Sequence, residues 1–297
     1  MTPDYLQYIK GTGLLKHMQS YRDQFREIQL SGYTVDGLDE NGNLRLVTPD
    51  KITLRNPKRH LSALYILEKP VRFNPNLKNN LIVTFGSYDQ ASNEWAAARY
   101  FGSPFKSLNA SVPYNTYVLR IGDSTGLTGS YYLNTELNPN LESDIRDLIL
   151  MTANNLNVNI DDTIAYGNSR GGFPSIYYGA TLGMKVVSVE PILNRTLAEQ
   201  ANSGIARYQH GIFDIIPFDF VPILNKFSGE NIKILIAINS EVVVNDAKKL
   251  ETFNVDFLDM QITASTPGEI HAKFIGATVP LQISYINQWI YQNYVSK

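Results

Sequence analysis

Five short apolar runs, at 81–85, 116–121, 163–166, 185–189 and 232–238, are separated by stretches long enough to form helices. Strands buried on both faces lose the polar alternation of a half-exposed strand, so this rhythm predicts a mostly parallel sheet covered on both sides. Helix-length segments lie near 94–100, 141–156, 172–182, 246–253 and 282–294. The expected fold class is therefore α/β, doubly wound. A chain of 297 residues, 43% apolar and 18% charged, suffices for one such domain with a small appendage.

The appendage is expected at the amino terminus. Leu14, Met18, Tyr21, Phe25 and Ile28 recur at three- and four-residue steps, the spacing of an amphipathic helix. From 33 to 73 the texture turns to short β-rich runs (33–35, 44–47 and 62–66) around the turn signal Glu40-Asn41-Gly42. A polar stretch at 73–80 follows, which divides the chain into an extension at 1–75 and an α/β domain at 76–297.

Composition removes several classes of function. Lys plus Arg number 26 and Asp plus Glu 28, a net charge of −2 with no basic block, so nucleic acid is not an expected partner. No run approaches the roughly 18 apolar residues of a membrane span. The start lacks a basic segment leading into an apolar one, so a cytoplasmic location is expected. The chain has no cysteine, which excludes disulfides, thiolate metal sites and cysteine nucleophiles. The four histidines, His17, His60, His210 and His271, are scattered, and neither a metal site nor a cofactor is expected.

The residues richest in chemistry are Gly167-Asn168-Ser169-Arg170-Gly171-Gly172, between an apolar strand and a helix of small and aromatic residues. G-x-S-x-G in that context is the pattern of a nucleophile elbow, where glycines on both flanks relieve crowding around a strained serine. A Rossmann phosphate loop needs G-x-G-x-x-G, which is not the spacing here. Serine requires a base, and an elbow serine is followed in the chain by an acid and then a histidine. His271, in a Pro/Gly-containing loop before the last helix, fits that order better than His210. The acid is expected after the strand at 232–238, where Glu241 is preferred because Asp246 reads as the start of a helix.

An oxyanion would be held by the backbone N–H of Arg170 and by a second donor from the loop after 81–85, at Ser87 or Tyr88. The Arg170 side chain suits either an anionic substrate or a surface salt bridge. The aromatic pairs Tyr131-Tyr132 and Tyr177-Tyr178, with Tyr208, suit either sugar stacking or the core.

Several of these segments together resemble one family. They are Val118-Leu-Arg-Ile-Gly-Asp123-Ser, Gly129-Ser-Tyr-Tyr-Leu-Asn-Thr135, Tyr166-Gly-Asn-Ser-Arg-Gly-Gly172, Tyr177-Tyr-Gly-Ala and Val186-Val-Ser-Val-Glu190-Pro-Ile. The succession resembles the XcbB/CpsF family of capsular polysaccharide biosynthesis proteins and, more distantly, hydrolase-like proteins of the accessory Sec secretion system. The likeness spans roughly 80–295. It implies an α/β-hydrolase fold with a Ser, Glu or Asp, His triad acting on bacterial surface carbohydrate or glycoprotein, with O-acetylation of sugars in the secretion branch. Carried over by position, the triad falls on Ser169, Glu241 and His271. Glu190-Pro191 stands where the family has an Asp-Pro pair, Arg170 where lysine is common, and Val242-Val243-Val244 where polar and acidic residues are expected.

Two functions follow as expectations. One is a serine esterase or O-acetyltransferase acting on carbohydrate or a glycoconjugate, for which transfer would need an acyl donor such as acetyl-CoA. The other is a non-catalytic hydrolase-fold subunit that binds glycan or scaffolds a biosynthetic or secretion complex. A missing acid, or a His271 turned away from Ser169, would favour the second.

Overall fold

A computed structural model of the chain describes residues 31–38, 44–53, 57–87, 100, 101, 105, 107–125, 129–194 and 219–295. The helix expected within 1–30 and the one near 94–100, save Tyr100, lie outside the described residues, as do His17, Tyr88, Tyr208 and His210. Strands β1 (Thr34–Leu38) and β2 (Leu44–Val47) form an antiparallel pair of their own. The remaining eight make one sheet: β3 (Lys58–His60), β4 (Ala63–Glu68), β5 (Asn80–Phe85), β6 (Thr116–Gly122), β7 (Ile164–Asn168), β8 (Lys185–Val189), β9 (Ile232–Ala237) and β10 (Val255–Leu258). Their spatial order is β10-β9-β8-β7-β5-β6-β4-β3. Pairing is parallel from β6 through β5, β7, β8 and β9 to β10, while β4 runs antiparallel to both β6 and β3. The sheet therefore crosses residue 75, since β3 and β4 precede it. A boundary there does not coincide with a break in the sheet.

The expected continuity of burial is met: every residue of β5 and β7 is buried. Alternation of side chains then divides the core into two layers. Leu81, Val83, Phe85, Ala165, Val186 and Ile234 pack with helices α1 (Leu141–Asn155) and α2 (Gly172–Leu182). Ile82, Val118, Tyr166, Val187, Val189 and Leu235 face α3 (Pro267–Ala277) and α4 (Val279–Val295). Each such Leu, Ile or Phe contributes about 1.5–3 kcal/mol by leaving water.

Local chemistry explains the helices nearest the site. In α1, Leu141, Ile145, Leu148, Ile149 and Thr152 make a buried stripe, and Glu142 and Asp144 in the first turn complement the helix dipole. The α2 helix packs so closely on β8 that a Cβ at Gly179 would strike Val186. It ends at Gly183, whose φ of +75° closes the turn without a steric penalty.

Two expectations change. The helix foreseen at 246–253 is a single turn, Val244–Ala247. The Asn225 side chain donates to the Lys249 carbonyl and accepts from the Glu251 N–H, diverting the chain toward β10. His271 lies within a helix and not in a loop. Thr266 caps α3 by accepting from the Glu269 N–H, Pro267 occupies the first turn, and Glu269 reaches back to the Ser265 N–H.

Candidate active site

Strand β7 delivers Ser169 at its carboxyl end with φ at +51°, in the left-handed region that a non-glycine residue adopts only under constraint. The flanking glycines supply the room. A Cβ on Gly167 would collide with the Gly171 carbonyl, one on Gly171 with the Phe85 carbonyl, and one on Gly172 would lie 2.7 Å from Pro191 Cα. The turn is thus wedged between β5 on one side and the segment after β8 on the other. That second segment is also bonded to it, the Ile192 N–H donating to the Ser169 carbonyl at 3.0 Å.

Ser169 Oγ lies 2.9 Å from His271 Nε2, and His271 Nδ1 lies 2.9 Å from Glu190 Oε2. With the proton on Nδ1, the imidazole donates to the carboxylate and accepts from the serine hydroxyl. Glu190 is fully buried, and a buried carboxylate requires hydrogen-bond donors. Among the described residues three converge on it: His271 Nδ1, the Ala237 N–H to Oε1 at 2.7 Å, and Ser240 Oγ to Oε2 at 2.5 Å. Its reach has a simple origin. Asn168 and Val189 are paired across β7 and β8, so Glu190 stands beside Ser169 at the same level of the sheet.

The carboxylate beside His271 is thus Glu190 and not the expected Glu241. Glu241 is exposed, because Val242, Val243 and Val244 turn inward and take the buried positions of that loop. Asp246 is buried but pairs with Lys249 at 2.6 Å. The end of β9 and the loop after it take part all the same, since Ala237 and Ser240 hold the Glu190 carboxylate. Glu190 also has a positive φ, +49°. Its signal in the sequence was an acidic residue and a proline directly after a short apolar strand.

On the other side of Ser169, the loop after β5 starts with Gly86, whose N–H donates to the Tyr132 hydroxyl at 2.7 Å. Ser87 follows, half-buried. The Arg170 side chain pairs with Asp123 at 2.6 Å and lies over the Tyr131 ring at 5.2 Å. Of its two sequence readings, the salt bridge is the one observed, but Asp123 is only 2% exposed and the pair is interior. Tyr132, Tyr177 and Tyr178 belong to the core, and Tyr178 donates to the Tyr132 carbonyl at 2.6 Å. Burial pushes the Tyr132 phenol far above its ordinary pKa, so its hydroxyl keeps its proton.

Among the described residues no three His, Asp or Glu side chains gather as a metal site, and no helix is long and apolar enough to cross a membrane.

No protein-family model matches the chain, and no curated protein matches it. Solved structures do. The capsule O-acetyltransferase of Neisseria meningitidis serogroup A is 16% identical with a TM-score of 0.53, over 79% of this chain and 94% of that one. A sugar hydrolase from Lactococcus lactis is 15% identical with a TM-score of 0.50, over 79% and 96%. A hormone-sensitive lipase from a metagenome library is 13% identical with a TM-score of 0.50, over 99% of both. The fold is that of the α/β hydrolases. In α/β-hydrolase terms, β7 and α2 flank the elbow, and the order Ser169, Glu190, His271 keeps serine, acid and histidine in sequence.

Proposed function

We propose that this chain is a serine-dependent acyl enzyme, an esterase or O-acetyltransferase, acting on bacterial surface carbohydrate in capsular polysaccharide or glycoprotein biosynthesis. The observation that carries the reading is the unbroken hydrogen-bonded chain from Ser169 through His271 to Glu190, at a serine held with positive φ. Ser169 Oγ attacks the acyl carbonyl as His271 Nε2 takes its proton. Glu190 fixes the imidazole tautomer and balances the imidazolium charge. The tetrahedral oxyanion is held by the N–H of Arg170 and a second donor from the loop after β5, Ser87 or Tyr88, and its collapse returns the proton to the leaving group. Water or a sugar hydroxyl then resolves the acyl-enzyme, giving hydrolysis or transfer. No step calls for a metal or a bound cofactor.

The carbohydrate assignment draws on two fold neighbours, a capsule O-acetyltransferase and a sugar hydrolase, together with the sequence resemblance to capsule biosynthesis proteins. Release of acetate from p-nitrophenyl acetate and from O-acetylated oligosaccharide tests it, with acetyl transfer to the deacetylated oligosaccharide as the complementary assay. Turnover that disappears in Ser169→Ala and His271→Ala is the expected result. A folded wild type that turns over none of these substrates and resists fluorophosphonate labelling would replace this reading with the glycan-binding or scaffold subunit.

A further inference from the structure

In the proposed acyl enzyme, an oxyanion pocket built from the Arg170 N–H and a second donor of the loop after β5 spans two segments, the elbow after β7 and that loop. Electrostatic stabilisation depends on holding such donors at a fixed separation before the reaction starts. Steric contact of Gly171 with the Phe85 carbonyl sets how near the segments can come, but contact alone does not hold them together.

The structure contains an attractive link. From the β5 loop, the Gly86 N–H donates to the Tyr132 hydroxyl at 2.7 Å, and that hydroxyl faces the carbonyls of Ile121 at 3.2 Å and Gly86 at 3.3 Å. The Tyr132 N–H donates to Asp123 Oδ2 at 3.0 Å, as does the Ser130 N–H at 2.5 Å. The same oxygen accepts from Arg170 Nη2 at 2.6 Å, which returns the path to the residue after Ser169. Tyr131 and Tyr132 both have positive φ, +56° and +62°, two successive non-glycine residues held in a costly conformation. Gly129 also has positive φ, and any side chain there would occupy the space of the Arg170–Asp123 pair.

A buried ion pair is a poor source of net stability, because desolvation offsets most of its attraction. Backbone strain adds a further cost. The conjunction of both beside the elbow is therefore better explained by position than by stability. We propose that Asp123, Tyr132 and the Arg170 side chain form a buried clamp that sets the distance between the two oxyanion donors. This rests on the acyl-enzyme reading and makes Asp123 and Tyr132 positioning residues. The Arg170 guanidinium is committed to Asp123, and its contribution is geometric.

Tyr132→Phe tests the clamp with one atom removed, leaving the Gly86 N–H without its acceptor. Arg170→Met is the second variant and keeps the backbone N–H while deleting the link to Asp123. The readouts on the full chain are kcat and KM for p-nitrophenyl acetate, and inhibition by a trifluoromethyl ketone, whose adduct on serine carries an oxyanion. Each variant should lower kcat by about 10–100-fold, weaken the ketone by the same factor, and leave KM within about twofold. Wild-type kcat and ketone affinity in either folded variant would overturn the clamp, as would a loss confined to KM. A wild type that forms no ketone adduct and has no esterase activity would instead sink the acyl-enzyme reading beneath it.

Discussion

Glu190 and Asp123 are both buried carboxylates at the carboxyl ends of strands, one on each side of Ser169, yet they are held by opposite kinds of partner. Glu190 faces an imidazole, a group whose charge would change in the proposed acyl transfer, and its other donors are a neutral amide and a hydroxyl. Asp123 faces a guanidinium, which is always charged, together with the amides of Thr125, Ser130 and Tyr132 and the Ser130 hydroxyl. The first arrangement leaves a proton free to move between Ser169 and His271. The second leaves nothing to move and so fixes geometry. The burial of a carboxylate beside Ser169 therefore does not reveal its role, whereas the chemical nature of its partner does.

That contrast can be broken by experiment. Replacing Ser169 or His271 with alanine should lower kcat on an activated ester by about 10⁶-fold, since members of such a unit fail together. Glu190→Gln keeps the shape but favours the wrong tautomer, and its kcat should fall by about 10³–10⁴-fold, as measured by steady-state ester hydrolysis. Asp123→Asn should be marked more by stability. It strands the Arg170 charge and should cost about 3 kcal/mol in a denaturant titration, at the low end for a broken buried pair because Arg170 retains some exposure. Equal catalytic losses in the two folded variants would erase the distinction. Ser240→Ala removes one donor from Glu190 and should lower kcat by about tenfold, the scale of a hydrogen bond to a charged group. Glu241→Gln, on an exposed side chain, should leave kcat/KM within about twofold of wild type.

Much of this was legible in the sequence, for identifiable reasons. The central strands announced themselves because both their faces are buried, and the elbow because Gly167, Gly171 and Gly172 have no room for a side chain. Chain order singled out His271. The helix that carries it was missed although Thr266-Pro267-Gly268-Glu269 is a helix-start signal, because Pro and Gly together read as a loop. Glu190 does not stand out in the sequence because the chain order places the expected acid after β9. Which of several carboxylates meets the histidine depends on the register of β7 against β8, a long-range property that local pattern does not encode. Strand β3 was missed because Lys58, Arg59 and His60 carry no apolar pattern, and β10 because its residues are half-exposed or exposed at the sheet edge. Asp123 and Tyr132 lay within the segments that resemble a known family, but only the folded chain shows what they touch.

The most direct test of the central claim is the rate at which a fluorophosphonate labels wild type, Ser169→Ala, Glu190→Gln and Glu241→Gln, followed by intact-protein mass spectrometry. The account predicts a single adduct on wild type that is absent from Ser169→Ala, slowed by at least about 10²-fold in Glu190→Gln, and formed at the wild-type rate in Glu241→Gln. Labelling that is lost in Glu241→Gln and kept in Glu190→Gln would contradict it.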